Sequence, residues 1–326
     1  MIEERGAIVI MKKISIVIPC YNEEENLEHL YTAVIGILNN ELSEYDYELL
    51  IIDNKSKDRS REIIRSLCAK DQHVKAIFNY VNCGPNTNPF FGLRESDGDC
   101  SILLYADFQE PIEMIPVMVH KWEEGNKVVC MIKNRSEENK IVYWAREMYY
   151  YIFKKMSQIE QIRQFTGYGL YDKSFIEVIR KIEDPTPFIK GIVAEYAPDR
   201  VEVNYTQQKR RGGKSSLNFW GYYDSAMLSF TSYTKGGLRI ASVAGGVIAF
   251  TSFVIAFIYL ILKLVNWNSF NAGNIPILLS VLFLGGCQLI FIGLLGEYIM
   301  SINQRVINRP MVVEEERINF EANMGE

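Results

Sequence analysis

The chain has 326 residues, with 35 Lys and Arg against 40 Asp and Glu and a formal charge of −5. That balance argues against a nucleic-acid partner, although basic residues gather between Lys209 and Lys214. Six scattered cysteines (Cys20, Cys68, Cys83, Cys100, Cys130, Cys287) lack paired or metal-ligand spacing and read as reduced cytosolic thiols. Glu3 and Glu4 stand where a secretory signal would be basic, and the apolar stretch Ala7 to Met11 is too short to be one.

Residues 14 to 133 alternate short β-branched runs with longer amphipathic stretches. Ile14–Ile18, Glu48–Ile52, Val74–Phe78, Ser101–Leu104 and Lys127–Ile132 predict buried strands. Between them Glu24–Leu38, Ser60–Ala69 and Ile112–Glu124 have helical spacing, as in Leu27, Leu30, Tyr31, Val34 and Leu38. Strands alternating with helices imply an α/β fold with a mostly parallel sheet covered on both faces. Ligands in such sheets bind beyond the carboxyl ends of the strands.

Those ends are polar. The first strand runs into Pro19-Cys-Tyr-Asn-Glu-Glu24, the second into Asp53-Asn-Lys-Ser-Lys-Asp58 and the fourth into Ala106-Asp-Phe-Gln-Glu-Pro111. Carboxylate and carbonyl oxygens are the ligands Mg²⁺ or Mn²⁺ prefers, usually one or two protein carboxylates completed by substrate phosphates. Asp107 and Gln109, two apart on an extended segment, can both reach one ion. Asp53 and Asp58 also suit a second task, capping the helix that begins near Ser60. His29, His73 and His120 are isolated and support neither histidine catalysis nor a zinc site.

Farther along, Ile141–Ser157 gathers Ile141, Trp144, Ala145, Met148 and Ile152 on one helical face with Arg146, Lys154 and Lys155 nearby. Phe219–Tyr233 does the same with Phe219, Tyr223, Ala226 and Phe230. Aromatic and basic side chains on one amphipathic helix suit the lipid headgroup boundary. Two apolar runs follow, Ile240–Leu264 and Ile275–Met300, each long enough to cross about 30 Å of hydrocarbon. The connection Asn266–Asn274 carries no Lys or Arg, whereas Lys235, Arg239, Arg305 and Arg309 flank the pair on the other side. The positive-inside rule therefore predicts a multi-pass protein of the cell inner (cytoplasmic) membrane with both termini in the cytoplasm. Glu297 is expected to snorkel to the interface or to pair with an arginine, and the Glu-rich tail after Pro310 to be solvated and mobile.

The three strand-end segments resemble the nucleotide-sugar motifs of glycosyltransferase family 2, whose fold is GT-A. Arg210-Arg-Gly-Gly-Lys-Ser215, the two C-terminal spans closed by Gly296-Glu-Tyr, and Asn308-Arg-Pro310 resemble the branch that charges polyprenyl phosphates, of the dolichol-phosphate mannosyltransferase and bactoprenol glucosyltransferase kind. The resemblance covers Lys13 to Pro310. It implies that Pro19, Tyr21, Asn22 and Glu23, with Asp53, hold the base and ribose of the donor. Asp107 would bind Mg²⁺ or Mn²⁺ with Gln109 as second ligand, and Arg210 and Ser215 would close over the diphosphate. Lys133 and Arg146 stand where the family places cations for the acceptor phosphate, Glu195 stands where an acidic residue faces the sugar, and Phe165–Tyr171 would line the acceptor side.

The chain departs from the pattern in places. Tyr105 replaces the first carboxylate of the D-x-D motif, and either lowers metal affinity or packs against the sugar or base. Asn54 and Lys55 replace Asp and Gly of D-D-G-S, and Glu110 replaces the Asp of D-L-Q-D-P. Ser216 replaces a Lys, with Lys214 close by, and Gly236-Gly-Leu-Arg239 replaces P-L-R.

The organisation implied is a GT-A domain over 11–218, a juxtamembrane amphipathic helix over 219–239, two transmembrane helices over 240–300 and a cytoplasmic tail over 301–326. The activity implied is an inverting hexosyl transfer from a UDP- or GDP-sugar to polyprenyl phosphate on the cytoplasmic leaflet, a cell-envelope reaction. The partners are then the donor, the lipid acceptor and the membrane, with a homo-oligomer left open. A glycan or glycolipid acceptor is the alternative within enzymes. Tyr105 and Asn54 motivate a third reading, a non-catalytic membrane protein that binds nucleotide sugars.

Overall fold

A computed structural model describes residues 11–134, 162–208, 219–233, 236–265, 274–307 and 309–320. The chain divides into two compact units, one of residues 1–143, 160–218 and 308–326 and the other of 144–159 and 219–307.

The first unit is built on an eight-stranded sheet. Its strands are β1 (Lys13–Cys20), β2 (Asp46–Asp53), β3 (Val74–Asn79), β4 (Cys100–Leu103), β5 (Val128–Lys133), β6 (Phe165–Asp172), β7 (Val201–Tyr205) and β8 (Glu314–Ile318). They lie side by side in the order β7-β5-β6-β4-β1-β2-β3-β8. β4, β1, β2 and β3 form a parallel block, and β5 and β7 are also parallel to each other. β6 runs antiparallel between β4 and β5, and β8 runs antiparallel along β3. The five predicted strands are all present within a residue or two.

Helices cover both faces, as the alternation of elements requires. On one side α1 (Leu27–Glu41), α2 (Ser60–Lys70) and α4 (Ile115–Glu123) bury Leu30, Val34, Ile64 and Met118 against Ile14, Ile16, Ile18, Leu49 and Ile51. On the other, α3 (Thr87–Glu95), α5 (Lys173–Arg180) and α6 (Ile189–Tyr196) bury Phe90, Leu93, Phe175, Ile176 and Ile192 against Val17, Leu103 and Cys130. The sequence reading does not include α3. Residues Thr87 to Leu93 are all buried, so the helix shows no polar stripe to betray its period. Gly92 lets it sink: a Cβ there would lie 2.6 Å from Val17 Cγ1 and 2.9 Å from Ile52 Cγ1.

Phe165–Tyr171, the segment expected to line the acceptor side, is a central strand with Tyr168 and Tyr171 fully buried, and its Thr166 lies beside Tyr105 and Glu110. One expectation is corrected in this unit. The tail is not simply solvated, because Glu314–Ile318 completes the sheet edge as β8. Asn319 locks its end in a left-handed turn (φ 63°), its amide donating to the carbonyls of Cys68 and Val74 at 2.8 Å each.

The second unit contains α7 (Phe219–Tyr233), α8 (Gly236–Val265) and α9 (Asn274–Val306). Tyr223 on α7 donates to Glu297 Oε1 on α9 at 2.9 Å, so a phenol meets the carboxylate expected either to snorkel or to pair with an arginine. Arg305 donates to Ser301 and to Ser232, each at 2.8 Å. Within α9, Phe283–Val306 is long and apolar enough to cross a membrane, and an 18-residue window of it has a mean hydropathy of 1.6 with 6% of the window buried. Among the described residues it is the one helix that qualifies, and Ala241–Ile255 within α8 is a shorter apolar stretch. The predicted interfacial helix Ile141–Ser157 lies outside the described residues.

Candidate active site

The carboxyl ends of β1 and β2 are laced together by their own motif residues. β1 and β2 pair in parallel with Pro19 opposite Ile52 and Cys20 opposite Asp53. Beyond the pairing, Asn22 N–H donates to Ser56 Oγ (2.9 Å) and Asn22 Oδ1 accepts from Lys57 N–H (2.8 Å). Glu23 N–H donates to Ser60 Oγ (2.9 Å), and the Glu23 carboxylate accepts from the Asn26 amide (2.7 Å). Asp58 Oδ1 accepts from the N–H of Ser60, the first residue of α2, at 3.0 Å. Asp53 is fully buried, and its two oxygens face Ser56 N–H at 3.3 Å. Arg61 Nε lies 3.2 Å from Asp53 Oδ2, and the Arg61 guanidinium covers the Phe78 ring. Burial pushes the Asp53 carboxyl above its usual range, against the opposing pull of Ser56 and Arg61.

Two departures from the family pattern lie in the loop after β2. Asn54 donates to Asn82 Oδ1 (3.1 Å) and Gly84 O (3.2 Å) while its own oxygen accepts from Cys83 N–H (2.9 Å). Only a carboxamide can both donate and accept in this way. Lys55 has φ 63°, the left-handed conformation that glycine adopts most easily. Asn22 (φ 56°) and Phe108 (φ 57°) are left-handed too, so each of the three strand-end loops carries one such residue. Backbone of that kind concentrates at functional sites.

Beyond β4 the third loop presents Tyr105, Asp107, Gln109 and Glu110. Asp107 is half-buried, and its Oδ1 accepts from Gln109 N–H at 3.2 Å. The Tyr105 hydroxyl donates to Thr166 O at 3.1 Å, in a niche where a Cβ on Gly167 would lie 3.1 Å from the phenol oxygen. Glu110 is 4% exposed, with one oxygen 3.4 Å from Thr166 Oγ1. Its other oxygen has no hydrogen-bond partner among the described residues. Burial first, and then the charge of Asp107, push the Glu110 carboxyl up to about 8, while Lys133 acts in the opposite sense. Lys190, at the start of α6, is pushed down by burial and feels the charge of Glu110.

A family model described as "Glycosyl transferase family 2" matches residues 15–180, which contain all three of these loops. The chain belongs to glycosyl transferase family 2. It is accordingly a glycosyltransferase, and its α/β architecture is the GT-A-like one of that family. Similarity continues past the matched domain. A prophage-derived bactoprenol glucosyl transferase of Shigella flexneri is 33% identical over 302 residues, 92% of this chain and 97% of the relative. A prophage bactoprenol glucosyl transferase homolog of Escherichia coli K12 is 32% identical, again over 92% of this chain and 98% of the relative. An undecaprenyl-phosphate 4-deoxy-4-formamido-L-arabinose transferase of Proteus mirabilis is 31% identical over 92% of both chains.

The predicted site residues of this family 2 transferase fall into three groups. Pro19, Tyr21, Asn22, Glu23, Asp53, Asp107 and Gln109 all lie at the carboxyl end of the parallel block. Lys133 joins them, as the last residue of β5, with its N–H donating to Gln164 O at 3.3 Å. Arg146, Arg210 and Ser215 lie outside the described residues. The segment leading to Arg210 nevertheless starts beside the third loop, because Gln208 N–H donates to Gln109 O at 3.0 Å.

Glu195 is the exception. It is exposed in the last turn of α6, and the next residues, Tyr196 and Ala197, line a cleft with Gly125–Val128 and Arg200 at the amino ends of β5 and β7. That is the opposite end of the sheet from Asp107. An eight-residue helix is about 12 Å long, so α6 carries Lys190 toward the site and Glu195 away from it. Lys190 is the residue the sequence reading lacks. Its only signal is its position near the start of a short helix whose placement depends on β6.

The donor set at the third loop can be tested against a divalent cation. Among the described residues no group of three or more His, Cys, Asp or Glu side chains forms a self-sufficient metal site. The half-buried Asp107 and the unpartnered Glu110 oxygen suit a hard cation held by few protein carboxylates and completed by a substrate diphosphate.

Proposed function

We propose that this family 2 transferase is a membrane-anchored inverting enzyme that moves a hexose from a UDP- or GDP-sugar to polyprenyl phosphate on the cytoplasmic leaflet. One observation carries the reading: relatives named for bactoprenol or undecaprenyl phosphate align with 92% of the chain, so the likeness includes the C-terminal helices as well as residues 15–180. The apolar surface exposed along α8 and α9 supports both helices as membrane spans, with the connection 266–273 outside and both termini inside.

In this reading the laced β1 and β2 loops hold the nucleoside, with the buried Asp53 as the polar anchor. Asp107, with Gln109 and the free oxygen of Glu110 beside it, faces the diphosphate and would hold Mg²⁺ or Mn²⁺. Such an ion supplies charge neutralisation for the leaving nucleoside diphosphate. Lys133 and Arg146 receive the acceptor phosphate, and the segment after Gln208 brings Arg210 and Ser215 over the donor. The acceptor oxygen attacks the anomeric carbon as the bond from that carbon to the β-phosphate oxygen breaks, which inverts the configuration. The acceptor is already an anion, so the protein's task is alignment and stabilisation of departing charge rather than strong base catalysis.

The test incubates purified full-length protein with a panel of UDP- and GDP-sugars and undecaprenyl phosphate. The expected product is a lipid-linked monosaccharide monophosphate of inverted configuration, formed with one nucleoside diphosphate per sugar transferred. Transfer to glycans or glycolipids with the lipid phosphate inert would select the other acceptor class. Nucleotide-sugar binding without any transfer would refute the enzymatic reading.

A further inference from the structure

The C-terminal strand reaches the nucleoside end of the site. β8 pairs with β3 in the register Ala76 to Ile318, Ile77 to Arg317 and Phe78 to Glu316, then Asn79 to Glu314, with the register shifting between Phe78 and Asn79. The two consecutive acids at that irregularity both pair with arginines of α2: Glu316 with Arg65 at 2.6 Å and Glu315 with Arg61 at 3.0 Å. Glu315 also meets Lys55 at 2.8 Å. Lys55 is the left-handed residue in the middle of the loop that starts at Asp53, and its ammonium lies over the Tyr80 ring. Arg61 is the same guanidinium whose Nε stands 3.2 Å from Asp53. One arginine therefore serves two carboxylates, a buried one from β2 and one from the tail, more than 250 residues apart in the chain.

We propose that Glu315 is a positioning residue for the donor pocket: by holding Lys55 and Arg61 together it sets the loop and the guanidinium that fix Asp53 for the base and ribose of a nucleoside diphosphate. This rests on the reading of Asp53 as a donor residue. Arg61 Nε approaches Asp53 without the geometry of a hydrogen bond, so Asp53 does not by itself determine where the guanidinium points. Glu315, accepting from both terminal nitrogens of Arg61, supplies that orientation. The two cations in turn hold the Glu315 carboxyl well below its usual range, at about 2, so it stays ionised at every pH at which the protein is assayed. Without Glu315, Lys55 and Arg61 become two neighbouring cations with one buried carboxylate between them, and like charges so placed repel. The loop then loses its set position. The chain that supplies Glu315 follows α9 within a few residues, so the last apolar helix leads directly into the strand that orders the donor pocket.

The experiment measures UDP and GDP binding to the full-length protein in detergent by calorimetry, together with initial rates over a range of nucleotide-sugar concentrations. Glu315→Gln is expected to raise the Kd for the nucleotide that wild type binds by about threefold to tenfold. Donor KM should rise in parallel, with kcat unchanged, and Glu315→Asp should recover most of the affinity. Glu316→Gln removes a neighbouring ion pair from the same strand without touching Lys55 or Arg61, and donor affinity there should stay at the wild-type level. Thermal melts of the two Gln variants should match, which removes loss of β8 as the cause. Equal affinities for Glu315→Gln and Glu316→Gln, or tighter binding by Glu315→Gln, would overturn the inference. Asp53→Asn separates the two levels: if it leaves nucleotide affinity unchanged, the donor reading of Asp53 fails and the inference with it. If Asp53→Asn weakens binding and Glu315→Gln does not, only the inference fails.

Discussion

Glu48→Gln is the perturbation whose size follows most directly from the structure. Glu48 sits in β2, 2% exposed, and accepts from Ser15 Oγ at 2.5 Å and Asp97 N–H at 2.8 Å. Two ammonium groups complete its shell, Lys75 at 2.7 Å and Lys13 at 3.1 Å. Burial alone would raise this carboxyl. The hydrogen bonds and the two lysines overcome it and hold the group at about 2 instead of 4.5. A tenfold change in acidity corresponds to about 1.4 kcal/mol, so the ionised form is favoured by about 3 kcal/mol in the folded state. Because the folded value is depressed, this stabilisation is present above the unfolded value and disappears as pH falls through the folded one, that is, between 4.5 and about 2. Gln keeps the shape but leaves two lysines beside a neutral group, and the expected loss is about 2–4 kcal/mol at pH 7. Urea unfolding of the full-length protein at pH 7, 4.5 and 3 measures it: the gap between wild type and variant should be widest at pH 7 and shrink at pH 3. Glu48 lies five residues along the strand from Asp53, about 17 Å, so kcat at saturating donor should not change. A variant as stable as wild type at pH 7, or a gap that stays constant into acid, would refute this account of the buried carboxylate.

Other expectations are more local. Asn54→Asp keeps the acceptor for Cys83 but removes both donated bonds and adds charge beside Asp53, so it should cost about 1–3 kcal/mol in thermal or chemical melts; an unchanged Tm would show that the carboxamide does not organise residues 82–84. Asp107→Ala should abolish metal-dependent nucleotide binding while leaving the melt nearly unchanged, and wild-type turnover that persists in excess chelator would remove the metal from the reading. Arg146→Ala should raise the KM for polyprenyl phosphate far more than the Kd for nucleotide, and the reverse pattern would assign Arg146 to the donor side. In a variant without native cysteines, Ser269→Cys should label with an impermeant thiol reagent from outside the cell and Ala322→Cys only after lysis; labelling of Ala322→Cys from outside would invert the topology.

Much of this protein is determined by local sequence. A strand buried on both faces is a continuous apolar run, and an amphipathic helix repeats its apolar positions, so β1 to β5, α1, α2 and α4 follow from neighbours in the chain. The topology rule for parallel sheets then places Asp53 and Asp107 at one edge with no knowledge of packing. What needed the tertiary structure is what distant segments do to one another. α3 is buried all round and loses its periodicity, and Tyr168 and Tyr171 become core because β6 inserts between β4 and β5. Glu110 becomes a hard-to-ionise carboxyl only where a dry wall and the charge of Asp107 surround it, against the opposing hydrogen bond from Thr166. Lys190 and Glu195 differ by about 1.4 helical turns in sequence, and the packing of α6 on the sheet puts Lys190 near Glu110 while the helix's last turn runs toward the amino ends of β5 and β7. The tail carries the same lesson: Glu-Glu-Glu-Arg reads as solvated chain, and it folds as an edge strand because Lys55, Arg61 and Arg65 stand ready to neutralise it, a charge match formed across more than 250 residues.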